Sequence, residues 1–138
     1  MTKPFFARAF IIPLPPISKK NSQRILYKKT RFKTVPFIAP SKNFEEYQRN
    51  AGYFIKGEKI DAAACPVNVR CLFYMPTKRR VDLVNLLEAV DDILTHYGII
   101  DDDDMLHVGG HDGSRIFFDK ENPRTEIYIS PLVDELNK

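Results

Sequence analysis

The chain of 138 residues carries 21 Lys and Arg against 18 Asp and Glu, with two cysteines and no tryptophan. Its 43% hydrophobic and 12% aromatic content excludes compositional disorder, and the length suits one domain with a real core. No apolar run approaches the roughly 18 residues that a membrane span needs. The net charge of +3 conceals a division: residues 1–80 hold 17 basic and 4 acidic side chains, whereas residues 81–138 hold 4 basic and 14 acidic. Balances of +13 and −10 point to a polyanionic partner for one half and to cations for the other.

In chain order, Ala7–Ile12 is short and apolar with a β-branched end, which predicts a first strand. Arg8 interrupts the apolar stretch Phe5–Ile12, and Pro13, Pro15 and Pro16 follow it, so it makes a poor signal peptide. The prolines make an extended corner. Ser18–Lys33 is basic and polar, with Arg24–Lys28 as a short strand; it reads either as a solvated hairpin or as a nucleic-acid-contacting loop. Val35–Ala39 is a further strand, placed at an edge by Pro36. Ser41 is a favoured N-cap, and Phe44, Tyr47, Ala51, Phe54 and Ile55 recur at helical spacing until Gly57. Val67–Met75 alternates Val67, Val69, Cys71, Phe73 and Met75 on one face, a half-buried strand.

After Pro76 and the basic turn Lys78-Arg79-Arg80, a second helix is expected over Leu83–Tyr97, closed by Gly98. Leu83, Leu86, Leu87, Val90, Ile93, Leu94 and Tyr97 gather on its core face, while Asn85, Glu88, Asp92, Thr95 and His96 lie opposite. Strands at about Arg115–Phe118 and Thr125–Ile129 complete the chain, with Gly109, Gly110, Gly113 and Pro123 expected as turns. The order predicts a single α+β domain with a mixed β-sheet and two main helices. Cys65 and Cys71 lie in one apparent strand, too far apart to bridge on a shared face, and read as reduced, buried thiols of a cytoplasmic protein.

The chemistry concentrates in Lys78–Leu106. Asp82 stands at the helix start, where an Asp also serves as N-cap and complements the helix dipole. Glu88 and Asp92 are four apart, one turn on the same face. Val84 is a misfit on that polar side. Asp101-Asp102-Asp103-Asp104 is either a solvated loop or a set of oxygen ligands for Mg²⁺ or Mn²⁺, which need few carboxylates and keep waters for reaction. Cations beside carboxylates in one segment suit a metal site acting on a phosphate backbone.

These residues resemble the RusA-type Holliday junction resolvases of bacteria and prophages. The family pattern runs as basic residues, D-x-D-N-x-x-K, a helix, a Gly, and an apolar stretch ending in D-D. Here it reads Arg79-Arg80-Val81-Asp82-Leu83-Val84-Asn85-Leu86-Leu87-Glu88, then Gly98-Ile99-Ile100 and Asp102-Asp103. Ile11–Asn21 resembles the family's opening strand, Pro-Pro corner and nearby Asn. The resemblance implies an α+β homodimer that binds four-way DNA junctions and makes paired, Mg²⁺- or Mn²⁺-dependent nicks in the cytoplasm of a bacterial or phage-infected cell. It implies Asp82 and Asp103 as catalytic metal ligands, Asp102 in support, and Lys78, Arg79 and Arg80 as DNA-backbone contacts. Lys19 and Lys20 extend that basic surface.

The sequence departs from the pattern at two positions: the family's second Asp is Val84 and its Lys is Glu88. Either Glu88 supplies the missing carboxylate in a rearranged site, with Asp92 behind it and Lys120 or Arg124 replacing the Lys, or the fold binds junctions without cutting them. A DNA-binding accessory protein explains the basic half through salt-dependent phosphate binding, but explains the acidic cluster less well. A calcium loop starting at Asp101 fails, because its sixth and twelfth positions are Leu106 and Asp112 instead of Gly and Glu. A zinc helix through His107 and His111 would contain Gly109 and Gly110 and lacks the adjacent Glu, so these histidines read as parts of a strand–turn region near the acidic loop.

Overall fold

The structure is a computed structural model that describes residues 8–19, 24–39, 41–60, 66–101 and 107–132. The expected α+β class holds: a mixed sheet carries two helices among the described residues. The strands are β1 (Arg8–Ile12), β2 (Arg24–Lys29), β3 (Thr34–Ala39), β4 (Val67–Met75), β5 (Val108–Gly110), β6 (Arg115–Phe118) and β7 (Arg124–Pro131). The helices are α1 (Lys42–Ala51) and α2 (Leu83–His96).

The main sheet runs β1-β7-β4-β5, with β6 also paired to β4. β1 and β4 flank β7 antiparallel, whereas β5 and β6 run parallel to the first and second parts of β4. Parallel neighbours need a crossover, and α2 supplies it between β4 and β5. The period-2 pattern of β4 puts Val67, Val69, Cys71 and Phe73 at 1% exposure or less, where they meet Ile127 and Ile129 of β7 and the apolar stripe Leu86, Val90, Ile93 and Leu94 of α2. Cys71 is a free thiol in this core, and burial pushes its pKa up; Cys65 lies outside the described residues. The side of the sheet away from this core carries a polar-aromatic ladder: Arg124 stacks 3.7 Å over Tyr74, which itself stacks on Phe117, and Arg70 lies over Tyr128. Tyr47 of α1 meets Thr125 of β7 at 3.3 Å, and burial pushes its phenol up to about 12.

Two elements depart from expectation. α1 ends at Ala51 instead of continuing to Gly57, so Ile55 is buried from a following turn while Phe54 stays 41% exposed. The cause is tertiary: the Tyr97 hydroxyl donates to the Gln48 carbonyl at 2.5 Å, satisfying one of the last-turn acceptors of α1. The Gly109-Gly110 pair, expected as a turn, forms β5 against β4. A side chain on Gly109 would meet the end of the Leu132 side chain, which lies close over this edge. β2 and β3 do not join the main sheet; they pair only with each other as a separate antiparallel ribbon. Elsewhere α2 stops at His96 with Tyr97 as C-cap, and Gly98 takes φ +72°.

A Gly→Ala change near a helix end usually stabilises through the unfolded chain. At Gly52 the sign should reverse, since a Cβ there would sit 2.5 Å from the Tyr97 ring. Gly52→Ala is expected to lower stability by about 1–2 kcal/mol in denaturant unfolding; a gain would show that the ring yields freely.

Candidate functional site

The crossover from β4 to α2 builds the site. Where β4 ends, Pro76 and the exposed turn Thr77–Arg80 lead the chain to Asp82, the N-cap of α2. Asp82 Oδ1 accepts from the Val84 backbone N–H at 2.9 Å, satisfying one of the helix's orphan donors. Its second oxygen makes no hydrogen bond among the described residues, and the side chain is exposed. Arg80, Val81, Asp82, Leu83 and Asn85 line an open depression at this helix start. A second hollow beside it is lined by Pro16, Ile17 and Ser18 together with Met75–Thr77 and Arg79–Val81. The Pro-Pro corner and the basic turn, far apart in sequence, are therefore neighbours.

Each expected residue can be placed against this frame. Arg79 and Arg80 are exposed at the mouth of these hollows, and Lys78 lies 5.4 Å from the Phe118 ring centre. Lys19 is held in an ion pair with Asp92 at 2.7 Å, which carries the chain after the proline corner onto the polar side of α2. Asp92 is thereby engaged by a cation rather than held open for a metal. Glu88 is exposed on α2, one turn before Asp92. Val84 is 65% exposed, so packing within the described residues of the chain does not explain its apolar side chain. Arg124 is ruled out as a replacement for the motif's Lys: it bonds Glu126 at 2.7 Å and Asp119 at 3.1 Å and lies on Tyr74. Lys20, Asp102, Asp103 and Asp104 lie outside the described residues. Among the described residues no three His, Cys, Asp or Glu side chains gather as a metal cluster. Asp82, with an oxygen to spare in an open polar hollow, has the donor chemistry of a hard divalent cation.

Sequence reasoning missed one pair. Asp91 is buried, and its Oδ2 lies 2.9 Å from His111 Nε2, while His111 Nδ1 meets the Val69 carbonyl at 2.9 Å. Asp91 sits about 40° beyond Leu87 on a 100°-per-residue wheel, at the flank of the core stripe, and that flank position was the available signal. Burial raises the Asp91 carboxyl above its ordinary range against the opposing pull of His111, and the hydrogen bond to Asp91 raises the imidazole of His111. The pair ties α2 to the turn between β5 and β6, where the chain returns from the acidic run. His111 thus links α2 to the strand–turn region within the fold, with both ring nitrogens engaged by Asp91 and the Val69 carbonyl.

Two measurements test these roles. His111 holds its proton more tightly in the folded chain than in the unfolded one, so its contribution is complete below the ordinary imidazole pKa of about 6.5 and is lost as pH rises through the raised value. The melting temperature should fall as pH rises above about 6.5, and Asp91→Asn with His111→Gln should remove that slope; a flat wild-type profile contradicts the pair. At the helix start, Asp82→Ala is expected to cost about 1 kcal/mol, whereas Asp82→Asn, an equally good cap, should leave stability unchanged. Equal losses would contradict the capping geometry.

No family model matches the chain. Over 60 residues, 43% of this chain and 50% of the other protein, it is 42% identical to the crossover junction endodeoxyribonuclease RusA of Enterobacteria phage 82. The match spans about half the length of that curated relative. It supports a RusA-like origin for this chain.

Proposed function

We propose that this chain is a metal-dependent endodeoxyribonuclease that resolves four-way DNA junctions, working as a homodimer. The observation that carries the reading is the helix start of α2, where Arg80, Asp82 and Asn85 share one open hollow in the order of the RusA motif. The 42% identity to a RusA nuclease supports the same chemistry. That hollow lies at the end of a parallel strand and at a helix N-terminus, where backbone donors and the helix dipole favour anions such as phosphate.

Lys78, Arg79 and Arg80 hold the DNA backbone by charge and fix its register. Asp82 offers its unbonded oxygen as one ligand for Mg²⁺ or Mn²⁺, and Asp103 with Asp102 completes the set from the acidic run. When bound, such ions activate water and stabilise the leaving oxygen of a phosphodiester. Glu88 lies one turn along the helix from Val84 and takes over the carboxylate role that Val84 lacks. Lys19 reaches α2 at Asp92, one turn beyond position 88 where the motif has its Lys, but its charge is balanced there by the Asp92 carboxylate.

A second reading has one specific observation in its favour. Val84, 65% exposed beside Asp82, stands where the family carries a carboxylate, and a site with that group missing could bind junctions without cutting them. Cleavage of a labelled four-way junction separates the two. With Mg²⁺ or Mn²⁺, wild type should nick opposing strands, and Asp82→Asn should lower the rate at least ~100-fold while junction binding persists. Glu88→Gln should abolish cutting without loss of fold if the rearranged site is correct. Equal inactivity of wild type and Asp82→Asn, with binding intact, defeats the nuclease reading and leaves the binding protein.

A further inference from the structure

The β2–β3 ribbon is not used by the site described above. Its 16 residues, Arg24–Ala39, include Arg24, Lys28, Lys29, Arg31 and Lys33 and no acidic side chain. In its register Ile25 faces Ile38 and Tyr27 faces Pro36. Ile25, Tyr27 and Ile38 are 63%, 68% and 70% exposed, so one face of the ribbon is apolar and open. The tip is built firmly. Thr30 N–H donates to the Lys33 carbonyl at 2.8 Å, Thr30 Oγ1 donates to the same carbonyl at 2.7 Å, and Lys33 N–H donates back to Thr30 Oγ1 at 3.1 Å. This closed turn presents Arg31 and Phe32, whose ring is 88% exposed with the Arg31 guanidinium 5.6 Å from its centre.

An aromatic ring so exposed at a fixed turn is a cost to solubility unless something covers it. Three kinds of surface can be weighed. A second copy of the ribbon would bring like charges together, with five cations on each side. A nucleic acid answers both features at once: phosphates meet Lys28, Lys29, Arg31 and Lys33, and an unstacked base offers a flat apolar face to Phe32 and Tyr27. An acidic protein surface would match the charge but would leave the ring without a stacking partner.

We propose that the β2–β3 ribbon is a second DNA-binding element, which tracks the phosphate backbone with its basic residues and stacks Phe32 on a base exposed where duplex pairing is interrupted. The inference rests on the junction reading for its substrate. Bases at a branch point are the ones a junction-binding protein can reach unstacked. Phe32 is then a positioning contact that places the branch relative to Asp82.

The test uses the full chain without divalent metal, so that cleavage plays no part, and a four-way junction with 2-aminopurine beside the branch point. Wild type should change the 2-aminopurine fluorescence on binding. Phe32→Ala should abolish that change and weaken junction affinity roughly tenfold, with binding to unbroken duplex unaltered, and Phe32→Trp should restore the signal. Arg31→Gln with Lys33→Gln should make the dependence of log affinity on log salt shallower by about two. Phe32→Ala with wild-type affinity and signal overturns the inference and leaves the junction reading standing. A Phe32→Ala that changes only the mass seen by light scattering also overturns it, and assigns the ribbon to a second copy. If wild type shows no preference for junction over duplex, the junction reading fails instead; the ribbon assignment then stands only if Phe32→Ala weakens binding to a single-stranded oligonucleotide.

Discussion

The structure depends on β4. This strand joins the antiparallel and parallel parts of the sheet, pairing antiparallel with β7 along its length and parallel with β5 and β6 on the other edge. Its alternating Val67, Val69, Cys71 and Phe73 fix which face meets the helices, because a one-residue slip would turn all four to the other side. Parallel pairing with β5 then forces a crossover, and α2 is that crossover. The basic turn Lys78–Arg80 and the N-cap Asp82 fall where β4 hands the chain to α2. Cations and a carboxylate meet at that point because of the topology, with the helix's own positive end between them.

The charge division of the chain takes physical form in this arrangement. The basic half ends in the turn at the helix start and includes a ribbon with no acidic residue. The acidic half begins at Asp82 and is not a uniform repelling surface. Asp92 is paired with Lys19, Asp91 with His111, and Asp119 and Glu126 with Arg124. Much of the negative charge is absorbed in the fold, which sharpens the interest of the carboxylates that are not, Asp82 above all.

What could be read from the sequence follows the strength of the local signals. The stripe of α2, the alternation of β4 and the caps Ser41 and Asp82 are strong, short-range patterns, and all four appear where expected. The Ser41 hydroxyl accepts from Phe44 N–H at 3.0 Å as a cap should. The misreadings come from contacts distant in sequence. The Tyr97 hydroxyl meets the last turn of α1, and the Gly109-Gly110 pair lies in β5 against β4, with Leu132 beside Gly109. The site shows the same division. Asp82, Asn85 and the basic turn are adjacent in sequence and come together as local geometry dictates. The engagement of Lys19 by Asp92 and the burial of Asp91 beside His111 depend on partners distant in sequence, and the stacking of Arg124 on Tyr74 does so too.

Asp82 carries two roles in this account, a helix cap through one oxygen and a metal ligand through the other. The most direct test is the position of a bound Mn²⁺ in crystals soaked with that ion. The account predicts a metal at about 2.1–2.2 Å from an Asp82 carboxylate oxygen, with Asp103 among its other ligands. A well-occupied Mn²⁺ that does not touch Asp82, or crystals that take up none there at saturating concentration, would contradict it.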